Sequence, residues 1–255
     1  MRRTDFYWLR LVGTGLWFLV FGLVTFVLGF VVLPVIRLLT PDRSRRQRRS
    51  RAILGAGMRS FIHGVNDLRF IDFEFVGREK LGQPGQLIVA NHPTLIDVCF
   101  LLGFAPTSSC IVKASHFRNP ITRGAVIGAG YIPNAPTEDM IHAAEAALRE
   151  GETLLMFPEG TRTVPGKPLA LQRGAANVAL RAARVLTPVY ISCEPSTLTK
   201  NLPWYRIPRS RPKWTLRVGD DIDLAAYRDA PLPIASRRLH ADLAGLFAGA
   251  NTVRD

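Results

Sequence analysis

Leu87-Ile88-Val89-Ala90-Asn91-His92-Pro93-Thr94-Leu95-Ile96-Asp97 is the stretch on which the reading of this chain turns. Four apolar residues in succession, Leu87 to Ala90, read as a buried strand, with Asn91, His92 and Pro93 as its exit. Five positions separate His92 from Asp97, which on a continuous helix would set them about 140° apart and out of easy contact. Thr94 and Asp97 have the spacing of a capping box, which predicts a helix starting near Thr94 with His92 in the turn ahead of it. From that turn the imidazole can fold back toward the Asp97 carboxylate. Asp97 then fixes the tautomer, and the other ring nitrogen is free to take a proton from a hydroxyl. The same spacing also serves a simple helix cap beside an ordinary loop histidine. His63, His116, His142 and His240 have no comparable acidic partner and read as surface or packing residues.

Outward from this stretch, Phe70 to Val76 alternates as a half-buried strand does, and Ile111 to Ala114, Leu154 to Phe157, Val189 to Ser192 and Trp214 to Val218 are further strand candidates. The clearest helix runs from Thr137 to Glu150. Thr137 is its expected N-cap, Glu138 and Asp139 favour the positive end of the dipole, and Ile141, Ala144 and Leu148 repeat at helical spacing before Gly151. Strands alternating with helices predict an α/β fold with a mixed, partly parallel sheet flanked by helices. In such sheets the reactive groups collect beyond the C-terminal ends of the strands.

A second motif, Phe157-Pro158-Glu159-Gly160-Thr161-Arg162, also follows a strand candidate directly. Arg162 has the geometry to hold a phosphate bidentately, with the backbone N–H groups of the Pro158–Gly160 turn adding to an anion site. Glu159 either bonds acceptor hydroxyls or holds Arg162, and a plain Glu–Arg ion pair closing a tight turn fits the same residues. Taken together, the two motifs offer a base with its orienting acid, plus a cation for an anionic substrate. That set fits attack of a substrate hydroxyl on an already activated acyl group, with no serine or cysteine nucleophile. Ser115, Ser192 and Ser196 lack the Gly-x-Ser-x-Gly context of a hydrolase nucleophile.

The 255 residues have room for one α/β domain of ordinary size plus an appendage, and a hydrophobic content of 47% supports a sizeable core. From Leu11 to Ile36 no residue is charged; the run contains Gly13, Gly15, Gly22, Gly29 and Pro34 and is bounded by Arg10 and Arg37. That is longer than the roughly 20 residues that cross a bilayer, and longer than the apolar part of a secretory signal peptide. Arg37, Arg43, Arg45, Arg46, Arg48, Arg49 and Arg51 follow, opposed only by Asp42, a cluster that favours the cytoplasmic side and anionic headgroups. Arg2, Arg3 and Arg10 flank the other end, so a re-entrant hairpin and a single span are both open. The expected organisation is an anchor over residues 1–40, a basic juxtamembrane linker over 41–60 and the catalytic domain over 61–255. Much of the net charge of +13 sits beside the apolar run, which accounts for it without nucleic acid. A second basic tract, Trp204 to Trp214, interleaves aromatic residues with cations and suits either a bilayer interface or a solvated loop. Cys99, Cys110 and Cys193 have neither paired nor metal-ligand spacing and read as small core residues in a reducing compartment.

From about Phe73 to Val218 the chain resembles the glycerophospholipid acyltransferase superfamily, in particular its bacterial lysophosphatidic acid acyltransferase branch. Asn91, His92, Thr94 and Asp97 match the first signature, Phe157 to Arg162 the third, and Pro188 with Val189 the fourth. Between them Lys113, Phe117, Pro120 and Gly130-Tyr131-Ile132 fit the second region, but Pro133 and Asn134 stand where the family pattern has an arginine. The resemblance implies His92 as general base with Asp97 as its partner. It also implies substrate contacts at Asn91, Thr94, Lys113, Glu159, Gly160, Thr161 and Arg162, with Asn134 at the acceptor position. It further implies an acyl-CoA or acyl-carrier-protein co-substrate, no metal or other cofactor, membrane lipids and an acidic acyl carrier protein as partners, and a place on the cytoplasmic face of a bacterial inner membrane. Asn134 makes an acceptor other than the glycerophosphate monoester the expectation. A non-catalytic lipid-binding protein and a lipid or thioester hydrolase are the rival classes.

Overall fold

The computed structural model describes residues 7–105, 107–135, 138–164 and 169–252. Helix α1 spans Tyr7–Leu39, with one π turn at Leu28–Val32. Asp42 starts α2 (Arg43–Asp67) by accepting a hydrogen bond from Arg45 N at 2.7 Å. There follow β1 (Asp72–Val76), β2 (Gln86–Ala90), α3 (Asp97–Phe104), β3 (Ser109–Lys113), α4 (Arg123–Gly128), β4 (Ile132–Asn134) and α5 (Glu138–Arg149). Then come β5 (Leu154–Met156), α6 (Gly174–Ala182), β6 (Val185–Glu194), β7 (Lys213–Val218) and α7 (Leu232–Thr252). The expected N-cap Thr137 and the flanking Arg2 and Arg3 lie outside the described residues.

Seven strands form one sheet in the order β1-β7-β6-β2-β5-β3-β4. The pairing is parallel except between β6 and β7, the mixed, partly parallel sheet that the sequence predicts. All five residues of β2 are buried, as expected of a strand covered on both faces. Ile88 and Ala90 point into a core shared with α1 to α4, whereas Leu87 and Val89 point into a second core under α5, α6 and α7. The three cysteines are buried and free, and burial pushes their thiols up to about 12.

The arginine-rich stretch expected as a linker is most of α2, and residue 60, the expected domain boundary, falls inside that helix. Arginine is a good helix former, and Leu54, Phe61, Ile62 and Val65 give the helix a buried face. Arg51 is itself buried, paired with Glu152 at 2.8 Å and donating from Nε to Ala129 O at 2.8 Å. Among the described residues α1 is the one helix long and apolar enough to cross a membrane. It nevertheless docks along the domain over about 35 Å, from Arg10 to Leu33. Arg10 donates to the carbonyls of Pro208, Arg209 and Ser210 in the basic tract. Trp17 stacks on Phe61 and donates to its carbonyl at 3.2 Å. Further along, Gly29 meets the backbone of Gly124 and Ala125, and Leu33 lies against Gly128. The other face, including Leu9, Leu16, Leu19, Leu23, Val31 and Leu38, is exposed.

Candidate active site

Parallel pairing sends β2, β5, β3 and β4 to the same edge, so the residues that follow them assemble there. His92 follows β2 and Glu159 follows β5, and these strands are neighbours, with Val89 opposite Met156. One strand beyond β5, Lys113 and Asn134 are register partners at the ends of β3 and β4. The two sequence motifs are thus adjacent because their strands are.

His92 Nδ1 lies 2.9 Å from Asp97 Oδ2. The Asp97 side chain is fully buried, and that of His92 is 18% exposed. Oδ2 also accepts from Thr94 N at 2.6 Å, and Oδ1 accepts from the Thr94 hydroxyl. A carboxylate only accepts, so the Nδ1 that faces it carries the proton and Nε2 presents its lone pair. Among the described residues Nε2 has no hydrogen-bond partner. The Phe157 ring stacks on the imidazole at 4.1 Å between centroids, fixing the ring plane from the other side.

The capping-box expectation is met differently. The helix begins at Asp97 rather than near Thr94, and the Thr94 hydroxyl donates to Asp97 instead of accepting from a backbone N–H. Asp97 ties down the turn and orients His92 at once, so the two readings of that spacing describe one side chain. Asn91, expected to touch substrate, is buried with both amide atoms engaged, donating to Ile191 O at 2.8 Å and accepting from Ile191 N at 2.7 Å. Its side chain extends the β2–β6 ladder while the main chain turns away toward His92. Thr94 is likewise fully buried, with its hydroxyl committed to Asp97 and to Trp214.

Glu159 and Arg162 do not pair with each other. Glu159 Oε1 accepts from His92 N at 2.8 Å and from the Thr163 hydroxyl at 2.8 Å, while Thr163 N donates to His92 O at 2.7 Å. Burial pushes the Glu159 carboxyl up, and the hydrogen bonds from His92 and Thr163 pull against it. Arg162 Nη1 donates to Leu198 O and Thr199 O at 3.0 and 3.1 Å, so its other nitrogens are the ones left for an anion. Leu198 holds a left-handed φ of 52°, and its carbonyl also receives Leu95 N. Such a conformation in a residue with a branched side chain costs on the order of 1–3 kcal/mol and persists where contacts over-determine it.

Gly160 has φ +66°, and a side chain there would meet Gln172 Nε2 at 3.3 Å and Asn134 Nδ2 at 3.5 Å. Asn134 therefore reaches the Glu159–Arg162 turn. Gly160, Thr161 and Lys113 are exposed at the rim. Among the described residues the Lys113 ammonium has no partner. Sequence reasoning missed Thr163, Leu198 and Trp214 as parts of the site. Leu198 and Trp214 act through contacts far along the chain, and Thr163 joins a distant backbone bond to His92 with a local hydroxyl bond to Glu159.

The acyltransferase family profile matches residues 72–192. Among curated proteins, the 1-acyl-sn-glycerol-3-phosphate acyltransferase of Chlamydomonas reinhardtii is 28% identical over 141 residues, 50% of this chain and 42% of that protein. The enzyme of the same name from Helicobacter pylori is 28% identical over 132 residues, 48% of this chain and 56% of that one. That from Saccharomyces cerevisiae is 26% identical, over 52% of this chain and 47% of its own length. The matched region thus spans about half the length of these relatives. The crystal structure of the 1-acyl-sn-glycerophosphate (LPA) acyltransferase PlsC from Thermotoga maritima superposes with a TM-score of 0.71 at 19% identity, covering 98% of this chain and 99% of that one, and so shares the fold. Residues 72–192, which carry both motifs at the ends of adjacent parallel strands, are thus the part of the chain that matches the acyltransferase family profile.

Proposed function

We propose that this protein is a membrane-associated O-acyltransferase that moves a fatty acyl group from acyl-CoA or acyl-carrier protein to a hydroxyl of a lysophospholipid-like acceptor. The observation that carries this reading is the His92–Asp97 pair, with Nε2 open beside the Glu159–Arg162 turn. Nε2 takes the proton as the acceptor hydroxyl attacks the thioester carbonyl, and Asp97 stabilises the imidazolium that results. The tetrahedral intermediate then expels the thiolate, which recovers the proton from His92. Arg162 and Lys113 hold the acceptor's phosphate near Nε2, and proximity supplies much of the remaining acceleration. The thioester is a co-substrate; the residues in place need no prosthetic group to move the proton.

The docked α1 supports a particular mode of attachment. Its inner face is fixed to the domain for most of its length, while its outer face is apolar and exposed. A helix so bound enters the bilayer with the domain beside it, as a surface-embedded element with the arginines of α2 at the headgroups. The bacterial inner membrane, from its cytoplasmic side, is the location that this reading assigns.

Replacing His92 by Ala is expected to lower thioester-dependent acyl transfer by about 10²- to 10⁴-fold, measured as acylated lipid formed per enzyme. Transfer at the unaltered rate would sink the mechanism. Free fatty acid as the sole product would favour a hydrolase, and no thioester turnover with any acceptor a lipid-binding protein.

A further inference from the structure

Trp214, in β7, lies outside both motifs, yet it is joined to the proposed base. Its ring is fully buried, and Nε1 donates to the Thr94 hydroxyl oxygen at 3.0 Å across 120 residues of sequence. That hydroxyl donates onward to Asp97 Oδ1, and Asp97 Oδ2 faces His92 Nδ1. Every member of the chain is buried or nearly so, which makes each bond stronger and each loss more costly than in water. An indole N–H can only donate, so it occupies an acceptor position on the Thr94 oxygen and leaves the hydroxyl proton free to point at Asp97. Deprived of that donor, the hydroxyl can rotate, and Asp97 loses a fixed contact on the side away from His92. The Phe100 ring packs beside the indole, with the ring centroids 6.0 Å apart.

We propose that Trp214 is a positioning residue for the acyl-transfer reaction: through the Thr94 hydroxyl it holds Asp97 in the rotamer that keeps His92 Nε2 aimed at the substrate. The inference rests on the reading of His92 as general base. It assigns a role in turnover to a strand residue that both motifs leave out. Because Trp214 acts only through Thr94, the two side chains form one unit rather than two independent supports.

The test is steady-state transfer by the full-length protein in detergent or vesicles, with Trp214→Phe, Thr94→Val, Thr94→Ser and the Trp214→Phe/Thr94→Val double variant. Trp214→Phe is expected to lower kcat about threefold to tenfold, the worth of one buried neutral hydrogen bond, with KM for donor and acceptor unchanged. Thr94→Ser should keep most of the activity, while Thr94→Val should lose at least as much as Trp214→Phe. The double variant should be no slower than Thr94→Val alone, because interacting residues are not additive. Losses that multiply in the double variant, a change confined to KM, or a kcat unchanged in Trp214→Phe would each overturn the proposal. If Trp214→Phe fails to fold, the ¹H–¹⁵N signal of the Trp214 indole decides. It should move in Thr94→Val and stay in Thr94→Ser, and a signal indifferent to Thr94→Val overturns the relay. Unaltered transfer by His92→Ala would instead remove the base assignment itself, so the two failures read differently.

Discussion

At the scale of single residues, the site divides into groups that face outward and groups that hold them. His92, Arg162, Lys113 and Asn134 stand at the open edge; Asn91, Thr94, Asp97 and Glu159 are buried and bonded inward. Asn134 is the residue at which the chain departs from the family pattern, and the structure sets its amide against the Gly160 turn and opposite Lys113 in register. An amide holds a phosphate more weakly than a guanidinium does. Lysophosphatidate is therefore not expected to be the best acceptor in a panel of lysolipids, and Asn134→Arg should raise its kcat/KM relative to the others by about tenfold or more. A wild-type preference for lysophosphatidate in that panel would refute the role given to Asn134. The His92–Asp97 contact was readable from spacing because it closes over five residues. Trp214 and Leu198 were not readable, since their contacts with the first motif depend on how β6 and β7 pair and no local rule carries that information.

At the scale of elements, the strands were readable wherever both faces are covered, since continuous apolar runs such as Leu87 to Ala90 have few other uses. β4 escaped because it is three residues long and contains Pro133, which reads as a breaker. α2 escaped for a different reason: its arginines look like a solvated linker, and only its second half carries an apolar face. The docking of α1 was also hidden, because a glycine in an apolar run does not announce what approaches it. Gly29 and Gly22 make that difference measurable. A methyl group on Gly29 would meet Ala125 N at 2.7 Å, whereas one on Gly22 would meet nothing within 4 Å. Gly29→Ala is expected to destabilise the protein by about 1–3 kcal/mol, and Gly22→Ala to leave it unchanged or up to about 1 kcal/mol more stable. Thermal unfolding of the two variants in detergent checks this, and equal midpoints would mean that α1 does not stay docked.

At the scale of the whole molecule, the net charge of +13 and the exposed Arg43, Arg45, Arg48 and Arg49 set a positive field beside the apolar face of α1. Such a field steers an acidic partner and is screened by salt. Transfer from acyl-carrier protein is expected to slow by about tenfold or more between low and high ionic strength, and a flat profile in initial rates would exclude steering. Within that molecule, the peptide of His92 is held on both sides: its N–H by Glu159 and its carbonyl by Thr163. The loops after β2 and β5 are therefore mechanically one part. Neither motif can be shifted along its strand, or exchanged for a relative's, without carrying the other with it. Under the proposed function, adaptation to a larger or smaller acceptor headgroup falls to the neighbouring rim, where Lys113 and Asn134 belong to different strands, β3 and β4.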